Sequence, residues 1–201
     1  MIPLMMIDIV FASGNPGKIR EVKEFFRGDR FNVLSPSDIG VNINVAEDGI
    51  TFEENASKKA QEICDACGLV TLADDSGLVI DALDGAPGVD SANFMGTDTP
   101  YSIRNAKILE LLTEVPANER TARFVCVIAL AVPGWEITTV RGECNGVITQ
   151  EVAGLDGFGY DPIFLVPKYG ITTAQISISQ KNEISHRGQA LRLVRDLLTA
   201  L

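Results

Sequence analysis

Apolar residues at Ile7, Ile9, Val10 and Phe11 predict a strand over Ile7 to Ala12. The polar turn Ser13-Gly14-Asn15-Pro16-Gly17 follows, and Ile19, Val22, Phe25 and Phe26 then recur at helical spacing, which predicts a helix from Lys18 to Phe26. Phe31 to Leu34 reads as a short second strand, and Asp38 to Gly49 as polar and irregular chain. Thr51-Phe52-Glu53-Glu54 has the spacing of a capping box, Thr51 at the N-cap and Glu54 at N3, and opens a helix to about Cys67. Leu69 to Ala73 is strand-like, Asp74-Asp75-Ser76-Gly77 reads as a tight turn at its end, and Leu78 to Ile80 resumes extended character.

Further along, Gly85-Ala86-Pro87-Gly88 is a loop, and Thr99-Pro100 makes an N-cap and N1 pair for a helix to Leu112. Thr121 to Val132 and Trp135 to Val140 flank Pro133-Gly134 and predict a long hairpin. The glycine-rich stretch Gly154 to Pro162 precedes a strand over Ile163 to Val166. Ser185-His186-Arg187-Gly188 opens a final helix whose apolar side carries Leu191, Val194, Leu197, Leu198 and Leu201. Helices interleaved with strands that include a hairpin predict an α/β fold, a mixed β-sheet with flanking helices, in a single domain over residues 1–201.

Composition narrows the classes of partner. A chain of 201 residues, 46% hydrophobic and 22% charged, can bury one domain-sized core. Its formal charge of −10 argues against nucleic acid or an anionic membrane as the main partner, because neutralising phosphates takes a basic face. The start from Met1 to Phe11, broken by Pro3 and Asp8 and without a basic leader, reads as a first strand rather than a signal peptide, and no apolar run is long enough to span a bilayer. Cys64 and Cys67 lie three apart in a helical pattern, and with His186 as the sole histidine they make a poor zinc set, so reduced thiols are expected.

Five segments carry candidate chemistry. At Ser13 to Lys18 a strand turns into a helix, which aims backbone N–H groups and the positive helix end at one point beside the Lys18 ammonium, an outline of a phosphate cradle. The Walker spacing is absent, and taken alone Asn15-Pro16-Gly17 is equally a good turn. Asp74 and Asp75 follow an apolar strand, where burial raises a carboxyl pKa unless a cation or donors hold the charge, and hard divalent cations take such oxygen ligands. Upstream, Glu47, Asp48, Glu53 and Glu54 are further oxygen donors, Glu54 being better suited to its cap. In Gly154 to Pro162, small residues around Phe158 and Tyr160 let the backbone approach a ligand while a ring offers a stacking face. His186 and Arg187 stand at a helix start, where the dipole disfavours cations, so an anionic or carbonyl-bearing ligand would explain them.

Together these segments resemble the inosine triphosphate pyrophosphatase family, the non-standard purine NTP pyrophosphatases. The resemblance runs through Ser13-Gly14-Asn15-Pro16-Gly17-Lys18, Thr51-Phe52-Glu53-Glu54-Asn55-Ala56, Ala73-Asp74-Asp75-Ser76-Gly77-Leu78, Gly157-Phe158-Gly159-Tyr160-Asp161-Pro162 and Ile184-Ser185-His186-Arg187-Gly188, nearly the whole chain. It implies a bilobal α/β fold with an elongated mixed sheet and a nucleotide cleft, a cytoplasmic homodimer, and Mg²⁺-dependent hydrolysis of ITP, dITP or XTP to the monophosphate and pyrophosphate. By the same resemblance Ser13, Gly14, Asn15, Pro16, Gly17 and Lys18 would hold the phosphates, Asp75 would bind Mg²⁺ and act as base, and Glu47 would be the second metal carboxylate. Ser76 would touch substrate, Phe158, Gly159, Tyr160 and Asp161 would line the base and sugar pocket, and Lys181, His186 and Arg187 would read the purine. One departure is Ser91-Ala92-Asn93-Phe94, where the family commonly reads Ser-Ala-Arg-aromatic. Two rivals stand beside this reading: release of orthophosphate from the γ position by the same charged parts, and nucleotide sensing without turnover, against which the paired acids Asp74 and Asp75 argue, since binding alone does not require so much negative charge beside phosphate.

Overall fold

The computed structural model describes residues 6–42 and 44–201. Met1 to Met5, part of the stretch read above as a first strand, and Ile43, within the predicted irregular segment, lie outside the described residues. The strands are β1 (Ile7–Phe11), β2 (Phe31–Leu34), β3 (Thr71–Ile80), β4 (Thr121–Ala131), β5 (Thr138–Ile148), β6 (Phe164–Val166) and β7 (Ile171–Thr172). They form one sheet in the order β2-β1-β3-β4-β5-β6-β7. β1 is parallel to both β2 and β3, whereas β6 is antiparallel to β5 and β7, so the sheet is mixed. The helices are α1 (Pro16–Phe25), α2 (Phe52–Cys67), α3 (Tyr101–Leu111), α4 (Ile178–Ile184) and α5 (His186–Thr199). None of them is long and apolar enough to cross a membrane.

By its internal contacts the chain divides into two compact units. The first takes the described residues up to Asp75 together with Val127–Arg141 and Gly188–Leu201, and the second takes Ser76–Cys126 and Gly142–Arg187. In the first, α1 and its C-cap supply Val22 and Phe26, and the apolar stripes of α2 and α5 supply Ala56, Ala60 and Ile63, and Leu191, Val194 and Leu198, all buried like Ile9, Val10 and Phe11 of β1. Phe26 meets Phe31 edge to face at 5.8 Å. In the second, Leu78, Ile80, Ile108, Phe124, Ile148, Ile163 and Phe164 close one core, with Phe124 against Phe164 at 4.4 Å.

Several boundaries differ from the sequence reading. β3 runs unbroken through Asp74-Asp75-Ser76-Gly77, where a turn was predicted: those acids are buried and held by side chains distant in sequence, so no turn is needed to bring them to water. α1 begins at Pro16, because Asn15 caps it and proline suits the first helical position. Pro100, and not Thr99, is the N-cap residue of α3, and the Thr99 hydroxyl donates instead to the Met95 carbonyl at 2.7 Å. β5 begins at Thr138 rather than Trp135 and continues to Ile148, well past Val140. α4 and β7 were not predicted. On α5, Leu197 is half-buried, and Leu201, beyond the helix, is exposed.

Candidate functional site

Helix α2 presents Phe52, Asn55, Ala56, Ala60 and Ile63 as one buried stripe, with Asn55 the polar member. Its amide nitrogen donates to Oδ2 of Asp75 at 3.1 Å, and its carbonyl oxygen accepts the Gly49 N–H at 2.8 Å. Asp75 is only 5% exposed. Burial pushes its carboxyl above the ordinary carboxylate range, Lys18, Lys59 and the Asn55 amide pull it back, and the charge of Glu47 adds to the rise. One turn along α2 from Asn55, Lys59 pairs with Glu47 at 2.9 Å, and Lys58 pairs with Asp48 at 2.7 Å. The acidic segment ahead of α2 is thus laced to the helix by ion pairs and by the Asn55 carbonyl.

On β3, Asp74 precedes Asp75 and takes the other face of the strand. It is fully buried and meets the Lys18 ammonium at 3.0 Å. The Asn15 side chain accepts from the N–H groups of Gly17 at 2.8 Å and Lys18 at 3.2 Å, and Ser13 Oγ accepts from Asn15 N–H at 3.2 Å. Two of the N–H groups expected to face phosphate are therefore occupied by the cap. Gly14 is exposed, with open space where a Cβ would stand.

The second unit gathers the remaining predicted residues. Asp161 is buried and accepts from Lys181 Nζ at 2.5 Å, from Phe158 N–H at 2.8 Å and from Thr173 Oγ1 at 2.8 Å. Lys181 lies 4.7 Å and the Arg187 guanidinium 5.7 Å from the centre of the half-buried Phe158 ring, so two cations lie against one aromatic ring. Arg187, itself buried, also donates to Ser76 Oγ at 3.2 Å. His186 is buried and stacked on Phe124, 4.7 Å between centroids. The Gly159 carbonyl accepts from Asn105 at 3.1 Å, and Tyr160, whose hydroxyl donates to the Ser91 carbonyl at 2.8 Å, packs into the core. Burial raises its phenol pKa well above the usual value. The loop that departs at Asn93 is held from beneath by fully buried Arg104, which donates to the carbonyls of Ala92 at 2.6 Å and Gly96 at 2.8 Å.

Three residues that sequence reasoning did not assign take part. Asn55 and Lys59 sit four apart on α2, and a polar residue in the apolar register of that helix was the available signal for Asn55. Thr173 had no such signal, because its contact with Asp161 joins residues twelve apart across β6 and the unpredicted β7. Among the described residues, no group of three or more His, Cys, Asp or Glu side chains could hold a metal ion by itself. Two carboxylates whose charges interact, Asp75 and Glu47, still suit Mg²⁺, a hard cation that takes one or two protein carboxylates and completes its octahedron with water and substrate phosphate.

The model of the Ham1 family matches residues 9–197. The chain belongs to the Ham1 family. Among curated Ham1 relatives, the dITP/XTP pyrophosphatase of Geobacter sulfurreducens is 49% identical over 193 residues, covering 96% of this chain and 97% of its own. That of Desulforamulus reducens is 47% identical, with 96% of each chain covered. Of solved structures, a HAM1 protein from Coxiella burnetii superposes with a TM-score of 0.86 at 40% identity, covering 98% of this chain and all of that one. The Staphylococcus aureus Ham1 protein gives 0.84 at 40% identity, with 96% and 98% covered. The fold is thus the α/β fold of Ham1 proteins.

Proposed function

We propose that this Ham1 protein hydrolyses non-standard purine nucleoside triphosphates, ITP, dITP and XTP, to the nucleoside monophosphate and pyrophosphate, and so clears them from the nucleotide pool. The observation that carries the reading is the buried Asp75, whose carboxyl is raised by desolvation yet surrounded by Lys18, Lys59 and Asn55, in a chain whose relatives are named dITP/XTP pyrophosphatases. A buried carboxylate held by an amide donor and flanked by lysines is suited to accept a proton from a bound water.

In this mechanism Asp75 takes the proton from a water that attacks the α-phosphorus, and pyrophosphate departs with the electrons of the broken anhydride bond. Lys18, together with the turn from Ser13 to Gly17, faces the triphosphate. Asp74 holds the Lys18 ammonium in place from below. Mg²⁺ held by Asp75 and Glu47 would supply neutralisation of triphosphate charge. Phosphoryl-type transfer asks mainly for positioning and charge stabilisation, so no covalent nucleophile is required. We further infer a homodimer working in the cytoplasm: the resemblance supplies the dimer, and Cys64, Cys67, Cys126 and Cys144, all free thiols, suit a reducing compartment.

The test is an assay of ITP, dITP, XTP, GTP, ATP and dTTP with Mg²⁺, scored separately for pyrophosphate and orthophosphate. Pyrophosphate from the first three is expected, with turnover lost on chelation and restored by Mg²⁺. Orthophosphate alone would establish the γ-phosphatase, and binding without any product the sensor.

Base selection follows from donor chemistry. Hypoxanthine and xanthine carry a 6-carbonyl, an acceptor, where adenine carries an amino donor, and Arg187 and Lys181 only donate. A buried donor left facing an amino group costs about 1 to 3 kcal/mol. Lys181 gives one bond to Asp161 and Arg187 one to Ser76 Oγ, so the discrimination is assigned to Lys181, His186 and Arg187 as a set. Arg187→Ala and His186→Ala should each narrow the ratio of kcat/KM between ITP and ATP, while Phe158→Ala weakens all purine triphosphates alike. An unchanged ratio in both variants removes these residues from base recognition.

A further inference from the structure

Asn55 stands in the first turns of α2, in the apolar stripe, and is 2% exposed. A buried carboxamide is costly unless its hydrogen-bonding groups are used, and here both ends are. The oxygen accepts from Gly49 N–H at 2.8 Å, and the nitrogen donates to Asp75 Oδ2 at 3.1 Å. The two ends cannot be exchanged. A carboxamide turned by half a rotation would set its NH₂ against the Gly49 N–H and its oxygen against a carboxylate. Gly49 is itself shaped to this contact: a Cβ there would stand 2.8 Å from Asn55 Oδ1 and 2.8 Å from Glu54 Cβ. It follows Glu47 and Asp48, which are paired to Lys59 and Lys58 of the same helix.

We propose that Asn55 is a positioning residue for the hydrolytic reaction, a polarised bridge that fixes Asp75 and the Glu47-Asp48-Gly49 segment at one spacing, with Gly49 N–H setting the direction of the bridge. This rests on the pyrophosphatase reading above. The carboxylate of Asp75 can rotate about its Cβ–Cγ bond, and the Asn55 amide holds one oxygen, which leaves the other oriented for its partner in the reaction. The same carboxamide keeps the acidic segment at the start of α2. Loss of the bridge therefore disturbs the geometry of the reacting carboxylate and of its acidic neighbour together, and leaves the base-reading residues of the second unit untouched.

The test compares Asn55→Leu, Gly49→Ala and the double variant, each as the full chain, for dITP turnover, thermal midpoint and inosine binding by calorimetry. Leucine approximates the shape of asparagine and removes both polar ends. Misplacing a reacting group by a fraction of an ångström to 1 Å lowers rate by up to about 10²-fold, so Asn55→Leu should lose roughly 10- to 100-fold in kcat with KM within about threefold and inosine affinity unchanged. Gly49→Ala should lose kcat in the same way but less, and the double variant should be no slower than Asn55→Leu, since residues acting through one bridge are not additive. A merely structural Asn55 would lower the thermal midpoint and leave kcat per inosine-binding molecule as it was. That result, or losses from Gly49→Ala and Asn55→Leu that multiply, overturns the bridge. If Asn55→Leu does not fold, Gly49→Ala decides, because unchanged kcat in it removes the direction-setting contact. Absence of pyrophosphate release by the unsubstituted chain would instead sink the activity itself, so the two failures are distinguishable.

Discussion

Asp75→Asn is expected to turn over dITP at a rate lower by about 10² or more, the scale of a lost general base that also holds a metal. The substitution keeps the size of the side chain and removes its charge. Its amide oxygen still accepts from Asn55, so the contact to α2 persists in the folded chain. Desolvation is the largest influence on Asp75, and a neutral amide at a site only 5% exposed avoids that cost. The thermal midpoint should therefore stay at or above that of the unsubstituted protein while turnover collapses, a combination that general damage to the fold would not give. Retention of most of the original kcat by the purified, folded variant would show that some other group takes the proton.

How much of this was legible in the chain depended on the range of the interactions. α2 could be read to the residue because its start is a local device: Thr51 and Glu54 exchange backbone and side-chain bonds within one turn, and Gly68 ends it in a left-handed conformation. β2 was equally plain, since alternation over Phe31–Leu34 is a property of four consecutive residues. β3 was not. Asp-Asp-Ser-Gly has the composition of a turn, and partners distant in sequence, among them Lys18, more than fifty residues upstream, and Asn55, twenty upstream, make those acids compatible with a buried strand. α4, seven residues long, lies between stronger signals and starts from a Ser177 capping box that was not recognised.

The candidate residues show the same division. The motifs were visible as sequence because each is contiguous, but their wiring was not. Lys18 was read as a cation for phosphate, and its ion pair with Asp74 could not be seen from either segment alone. Glu47 was singled out as an oxygen donor, and its pairing with Lys59 required the helix to be placed. Lys181 and Asp161 were each assigned to the base pocket, twenty residues apart in sequence, without any sign that they would be buried against each other.

That last pair supports a prediction about stability as well as binding. Asp161 and Lys181 are 1% and 3% exposed, so neither charge is hydrated, and each depends on the other. Asp161 also accepts from Phe158 N–H and Thr173 Oγ1, which makes it the common acceptor for three donors. In Asp161→Asn, the amide oxygen can keep the Thr173 donation only by turning its NH₂ toward Phe158 N–H and the ammonium; in the opposite rotamer the Thr173 hydroxyl accepts from the NH₂ and donates to the residue 161 carbonyl, and the ammonium faces a neutral oxygen in place of a carboxylate. Removing one member of a buried ion pair typically costs about 3 to 5 kcal/mol, because the remaining charge is left desolvated. Asp161→Asn should fall in that range in urea unfolding, read as a lower midpoint at unchanged m. Lys181→Met should cost less, since its partner keeps two hydrogen-bond donors and methionine fills much of the lysine's volume beside the Phe158 ring. Because Asp161 also fixes the backbone of Phe158, Asp161→Asn should raise KM for ITP and ATP together, without the change in their ratio expected of Arg187→Ala. A loss below about 1 kcal/mol, or a Lys181→Met variant less stable than Asp161→Asn, would mean that Asp161 is not the shared acceptor holding this pocket together.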